Sequence, residues 1–206
     1  MLTAAVGFTV KSGWAAAVLL TGSPSSIQVV DSRRVELSDP AIPESRQPYH
    51  DGFGTARQQG PDLSRLVRSV RRYGTGELRS LFREYRALRH PIAGVGVVVG
   101  SLIDPETIAN EHIRIHAREG QLFRSVVEQG AVASGVSCTI WRERDLYEAA
   151  AELLRLREQR VREAVKALGK TVTAWRAEQK TAAVAAWLVL ASTTQAAAQL
   201  ANGFKQ

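Results

Sequence analysis

The segment Asn110-Glu111-His112-Ile113-Arg114-Ile115-His116-Ala117-Arg118-Glu119 gathers the side chains best able to do chemistry. His112 and His116 are four residues apart, one turn of a helix, so their imidazoles can converge on a single ion. Glu119 follows three residues later on the same side and would complete a two-histidine, one-carboxylate set for a divalent metal. This is not the zinc-protease pattern, because Glu111 precedes the first histidine instead of following it. Ile108, His112, Ile115, Glu119, Leu122 and Val126 step by four and three, which predicts His112 and Glu119 in line with a core-facing stripe. A carboxylate and an imidazole on such a stripe must be paired or must bind something, since an isolated buried charge is costly. The competing reading is structural: the two satisfy each other, or a backbone group, at the edge of the stripe.

A second group lies in Ser45-Arg46-Gln47-Pro48-Tyr49-His50, within the Pro-, Gly- and polar-rich stretch Ser38–Gly60. Loops of that length are either functional or without fixed order. If this one folds over the 110–119 helix, His50 joins His112 and His116, and three imidazoles make a Zn²⁺ or general-base site. His50 would then be the acid/base, with Glu119, and Arg46 a phosphate clamp. The alternative is a surface loop with no role.

Charge points elsewhere. The formal net charge is +7, and between Arg57 and His90 nine arginines stand against three acids, so nearly all of the excess lies there. Arg65, Arg68, Arg72, Arg79, Arg83 and Arg86 follow helical steps and would share one face, with Leu63, Leu66, Val70, Leu81, Tyr85 and Leu88 on another. A phosphate-tracking surface from Arg65 to Arg89 is one reading. The other is a solvated face, because 22 arginines against five lysines is a bias of the whole chain and no aromatic residue interleaves the stripe. Gly74 and Gly76 are expected to break the helix.

The elements that must position these groups are legible. Strands are expected at Ala4–Lys11, Trp14–Thr21, Ile27–Leu37, Pro91–Val99 and Val136–Trp141. Lys11-Ser12-Gly13 and Ser23-Pro24-Ser25-Ser26 supply the first turns. Ile92–Val99 is a continuous apolar run, typical of a strand covered on both faces. Asp104 and Pro105 are expected to start a helix reaching about Ala133. A charged helix follows from Asp145 to about Leu168, and an alanine-rich one from Trp175 to about Leu200, apolar nearly all round in its middle. Such a helix needs cover, from the sheet or from a second copy in a homodimer.

Composition narrows the class. A chain of 206 residues with 45% apolar content suits one globular domain. The lone Cys138 excludes an internal disulfide and a cysteine metal cage, and in a buried strand it reads as inert packing. MLTAAVGFTV carries no charged leader region, and the longest apolar run, Ala182–Ala191, is too short to cross a bilayer, so a soluble cytoplasmic protein with no membrane partner is expected. Gly169-Lys170-Thr171 lacks the first glycine of a P-loop and follows a helix, and Gly94-Val95-Gly96 with Gly100 lies in a strand, not in the turn after it.

This element order, a three-stranded antiparallel meander followed by αβαβα, resembles the ribonuclease H-like superfamily of nucleases, resolvases and sugar-kinase-type ATPases. The resemblance implies a single three-layer α/β domain over residues 1–206 with a mixed five-stranded sheet and a helical part from about residue 145. It also implies acids on the first strand, the fourth strand and the last helix, holding two divalent metals in the nucleases. Thr9 or Lys11 stands at the first of these places, Gly100 and Ser101 at the end of the fourth strand, and Glu178 alone where a last-helix acid would be. Asp31 lies on the third strand, and Asp104 is explained as a cap. Kinase-type members need a first-strand Asp followed by Gly, which Lys11-Ser12-Gly13 meets only in part. The resemblance therefore implies a bacterial member without most of the catalytic carboxylates. Two functions follow as expectations: a non-catalytic module binding protein, nucleotide or RNA, or a metal-dependent phosphoester hydrolase or nuclease built on His112, His116 and Glu119.

Overall fold

Strands covered on both faces can afford only small or branched apolar residues, and the two central strands carry little else. The structure, a computed structural model, describes residues 3–52, 55–88 and 90–203. β1 (Ala4–Lys11), β2 (Trp14–Ser23), β3 (Ser26–Glu36), β4 (Ile92–Val99) and β5 (Cys138–Arg142) form one sheet in the order β3-β2-β1-β4-β5. β2 runs antiparallel to both β1 and β3, whereas β4 is parallel to β1 and to β5. This is the three-layer, mixed five-stranded arrangement that the resemblance implies.

Alternation along β1 divides the core. Val6, Phe8 and Val10 face α1 (Pro61–Ala87) and α2 (Glu111–Ala133), where Phe8 meets Phe82 edge-on with ring centroids 6.3 Å apart. Ala5 faces the other layer, which contains α3 (Leu146–Leu154), α4 (Glu158–Leu168) and α5 (Ala177–Gly203). Here α5 lies almost flush on the sheet. A Cβ added at Gly7 would collide with the carbonyl of Ala182, and one at Gly96 would come within 2.7 Å of the Ala185 carbonyl oxygen. Glycine is required at both positions because backbone, not side chain, is the neighbour.

Several sequence expectations need correction. α1 runs unbroken through Gly74 and Gly76. Gly74 is kept for closeness: a Cβ there would sit 2.6 Å from Val126 Cγ1 on α2 and 3.0 Å from the Leu37 carbonyl oxygen. The helix expected from Asp104 starts later. Asp104 caps a 3-10 turn, Pro105–Thr107, by accepting from Glu106 N–H, and α2 has its own cap in Asn110, which accepts from Ile113 N–H. Val136 precedes β5 and does not belong to it. The helix expected over 145–168 is two, because Arg155 turns into the left-handed region at φ 54° between α3 and α4. The apolar middle of α5, Ala182–Ala191, is buried against the chain's own sheet and α3, so it does not require a second copy for cover. Among the described residues no helix is long and apolar enough to cross a membrane.

Candidate metal centre

α2 puts Ile115, Glu119, Leu122 and Val126 on its buried face, as the stripe predicts. His112 departs from the prediction and is exposed. The first turn of α2 has run past the end of the sheet, so the helical period continues while the core does not. His112 and His116 therefore stand at the surface, with Glu119 one turn below them at 0% exposure.

The loop between β3 and α1 reaches this point. A 3-10 turn at Pro43–Arg46 leads into a narrow hairpin in which Arg57 N–H donates to Tyr49 O (2.8 Å) and Asp51 N–H to Thr55 O (2.9 Å). The Arg57 side chain clasps the turn, giving Nε–H to Pro48 O at 3.0 Å and Nη2–H to His50 O at 2.8 Å. His50, 9% exposed, is held with Nδ1 at 2.8 Å from Glu119 Oε1. Ser12 Oγ lies 3.5 Å from Glu119 Oε2, and Tyr49 N–H also donates to that carboxyl. Burial nonetheless holds the Glu119 pKa above the ordinary carboxyl value, against the opposing pull of His50, Tyr49 and Ser12.

Three imidazoles result. Ring centroids of His50 and His116 are 4.7 Å apart, those of His112 and His116 4.6 Å, and those of His50 and His112 6.3 Å. One nitrogen of each lies within 4.8 Å of the others, so the three can share an ion. The Nε2 atoms of His112 and His116 are 3.3 Å apart. A tetrahedral Zn²⁺ with Zn–N bonds of ordinary length sets its ligand nitrogens about 3.3 Å apart, so the helical pair matches one edge of that tetrahedron. Burial and the neighbouring His50 and His112 lower the His116 pKa, which favours the neutral, ligating form. His50, with Nδ1 turned to a carboxylate, presents Nε2 outward in the carboxylate–histidine arrangement that orients metal ligands.

Of the two groupings raised from the sequence, the three imidazoles are the one brought together. His50 stands beside His112 and His116, and Glu119 lies beneath them, with one of its oxygens engaged by His50. Ser12 entered the sequence argument only through the Lys11-Ser12-Gly13 turn and Arg57 only as part of the basic segment, neither as a partner of this site. Ser12 reaches Glu119 from the β1–β2 turn, and Arg57 acts only through the folded hairpin, so neither leaves a local signal. Arg46 is exposed, and its stem packs against Gly13.

No protein-family model matches the sequence, and no curated protein sequence matches it. Solved structures do. The chain superposes on "T. thermophilus RuvC in complex with Holliday junction substrate" with a TM-score of 0.57 at 10% identity, covering 94% of this chain and 96% of that one. A second Thermus thermophilus RuvC structure gives a TM-score of 0.58 at 11% identity, with 94% and 97% covered. The chain has a ribonuclease H-like fold. The yeast mitochondrial Holliday junction resolvase Ydc2 lies further off, at a TM-score of 0.49 and 8% identity over 97% of this chain and 85% of that one.

In this ribonuclease H-like chain the places expected to hold acids carry other chemistry. Thr9 is buried, with its hydroxyl 2.7 Å from that of Thr181 on α5. Lys11 pairs with Glu143 at 3.4 Å, and Glu178 is half-buried in the first turn of α5. Asp31 accepts from Tyr85 and Arg33, a structural knot. One acid with a threonine pair and a lysine does not fit the superfamily's two-metal site. The arginine stripe is exposed on α1, and a groove of about 830 Å³ there is lined by Arg65, Arg68, Arg71, Arg72 and Arg79. Arg71, which was not among the six arginines of the stripe, also lines this groove. Arg83 does not line the groove, Arg86 donates to Ser134 O, and Arg89 lies outside the described residues.

Proposed function

We propose that this chain is a metal-dependent phosphoester hydrolase, with His50, His112 and His116 holding one Zn²⁺-like ion and Glu119 positioning His50. The observation that carries the reading is the 3.3 Å separation of the His112 and His116 Nε2 atoms, beside a third imidazole fixed from below by a buried carboxylate. Three protein ligands leave a fourth position open, which is the pattern of catalytic rather than structural zinc. An ion held so supplies a Lewis acid and a water ionising near pH 7. Glu119 keeps the His50 ring in one orientation, and the Arg57 clasp sets it there before any ion arrives. Arg46, Arg65, Arg68, Arg72 and Arg79, joined by Arg71, would receive the phosphates of a nucleic-acid substrate; Arg83 and Arg86 would serve only at the far end of the helix. The fold's likeness to a RuvC solved with a Holliday junction makes nucleic acid the phosphoester to try first.

The α1 groove by itself favours a second reading, a non-catalytic nucleic-acid-binding module in which any ion merely pins the loop to α2. One experiment separates the two. The protein, prepared without a His-tag, is assayed for metal content and for hydrolysis of bis(p-nitrophenyl) phosphate, beside a His112→Ala/His116→Ala variant. Near-stoichiometric Zn²⁺, Mn²⁺ or Fe with hydrolysis, both lost in the folded variant, establishes the hydrolase. Metal without hydrolysis, together with DNA or RNA binding that weakens steeply with salt, establishes the module.

A further inference from the structure

A cleft of about 530 Å³ opens at the carboxyl ends of β1 and β4, between α2 and the segment 100–108. In open α/β sheets this is the position where ligands settle. It has three unusual linings. Leu102, Ile103 and Ile113 are 45%, 63% and 55% exposed, which puts three of the large apolar side chains left in solvent on one rim. Arg124 lies in the wall, its Nε shut away from solvent and ion-paired with Glu128 Oε2 at 3.7 Å, a separation too long for a hydrogen bond. A guanidinium carries five N–H donors, so one held by its Nε beside Glu128 keeps its terminal N–H groups for an anion in the cleft.

The third lining is a glycine. Gly120 sits in mid-helix on α2, where glycine is a weaker helix former than alanine. Gly74 and Gly130 justify their places by close contacts with Val126 and Leu78, but a Cβ at Gly120 would meet nothing within 4 Å. What its missing side chain provides is open volume in the cleft. His116, Gly120 and Arg124 follow at steps of four, so one face of α2 runs from the imidazole cluster to the arginine over about 12 Å.

We propose that this cleft binds an organic monophosphate, its phosphate on the Arg124 guanidinium and its apolar body against Leu102, Ile103 and Ile113, next to the metal centre. Phosphate rather than carboxylate is the anion that a phosphoester hydrolase meets, so that choice rests on the function proposed above; anion binding with an apolar body does not. A nucleoside monophosphate and an aryl or alkyl phosphate share this chemistry.

Calorimetric titration of the chelated, metal-free protein tests it, with phenyl phosphate, AMP and inorganic phosphate as probes. Phenyl phosphate or AMP should bind at least about 10-fold more tightly than inorganic phosphate, the increment expected from burying an apolar body. Whichever of the two binds better names the source. Arg124→Gln should weaken the better probe about 10-fold or more. Gly120→Leu should abolish its binding while leaving the thermal midpoint equal or higher, because leucine is the better helix former. Equal affinity for inorganic and organic phosphate, no binding of any probe, or unchanged binding in Gly120→Leu would overturn the proposal. Metal uptake by the parent is measured separately. A protein that takes up no metal yet binds phenyl phosphate loses the hydrolase reading and keeps the cleft, whereas the reverse result does the opposite.

Discussion

The two faces of the sheet end in opposite ways at the same edge. On the α5 face the space is closed: Gly7 and Gly96 admit the helix backbone, and the polar atoms of Thr9 and Thr181 satisfy each other. On the α2 face the helix outruns the sheet, a loop folds back over it, and three imidazoles stand over a buried carboxylate. The first face is closed by backbone lying against backbone; the second holds ionisable groups that a nearby ligand could use. Chemistry at a sheet edge thus follows less from the fold than from which helix lies tight and which overhangs.

The contrast can be broken most sharply on the closed face. Gly7→Ala forces a methyl into the Ala182 carbonyl and should cost about 3 kcal/mol in urea unfolding, with α5 lifted from the sheet. A loss below about 1 kcal/mol would mean that α5 is not seated flush. On the open face, Glu119→Ala leaves the His50 Nδ1 without its partner and should destabilise the metal-free protein by about 1–3 kcal/mol. The same change should weaken Zn²⁺ binding about 10- to 100-fold, because an oriented ligand becomes a loose one. Unchanged Zn²⁺ affinity would reduce Glu119 to packing. Saturating Zn²⁺ at 100 times its dissociation constant should add about 2.7 kcal/mol to the parent and nothing to the His112→Ala/His116→Ala variant. The smallest effect belongs to Thr9→Val. Thr181 keeps the carbonyls of Ala177 and Glu178, so the loss should stay under about 1 kcal/mol and Zn²⁺ binding should not move. A Thr9→Val variant that lost Zn²⁺ would place the metal on the wrong face and erase the distinction.

How far the sequence foretold this depends on whether the cause was local. The central strands were legible because continuous apolar runs in β1, β2 and β4 admit little but a sheet covered on both sides. Glu119 was legible as buried because its stripe continues on both sides of it. His112 was misplaced because helical periodicity records a direction and not the point where the sheet stops. The join of His50 to the α2 pair could only be stated as a condition, since it depends on the Arg57 clasp, and hydrogen bonds from an arginine to carbonyls of a neighbouring turn leave no periodic trace. Gly74 misled for a related reason. Its cause is Val126 and the Leu37 backbone, far away along the chain, while its local propensity says break.

The flush seat of α5 also bears on what this chain can become. Position 9 lies in the layer where Gly7 has already let the helix in, and Thr9 is 1% exposed. An aspartate placed there by a single replacement would put a charge at a position now 1% exposed, beside the Thr181 hydroxyl, so its desolvation would be costly. Placing an acid at that site would require α5 to retreat first, and the glycines that hold it close would have to change with it. For this sequence that path is a one-way door: variation that leaves the fold intact can enlarge or retune the α2 face, while the α5 face is locked by its own backbone.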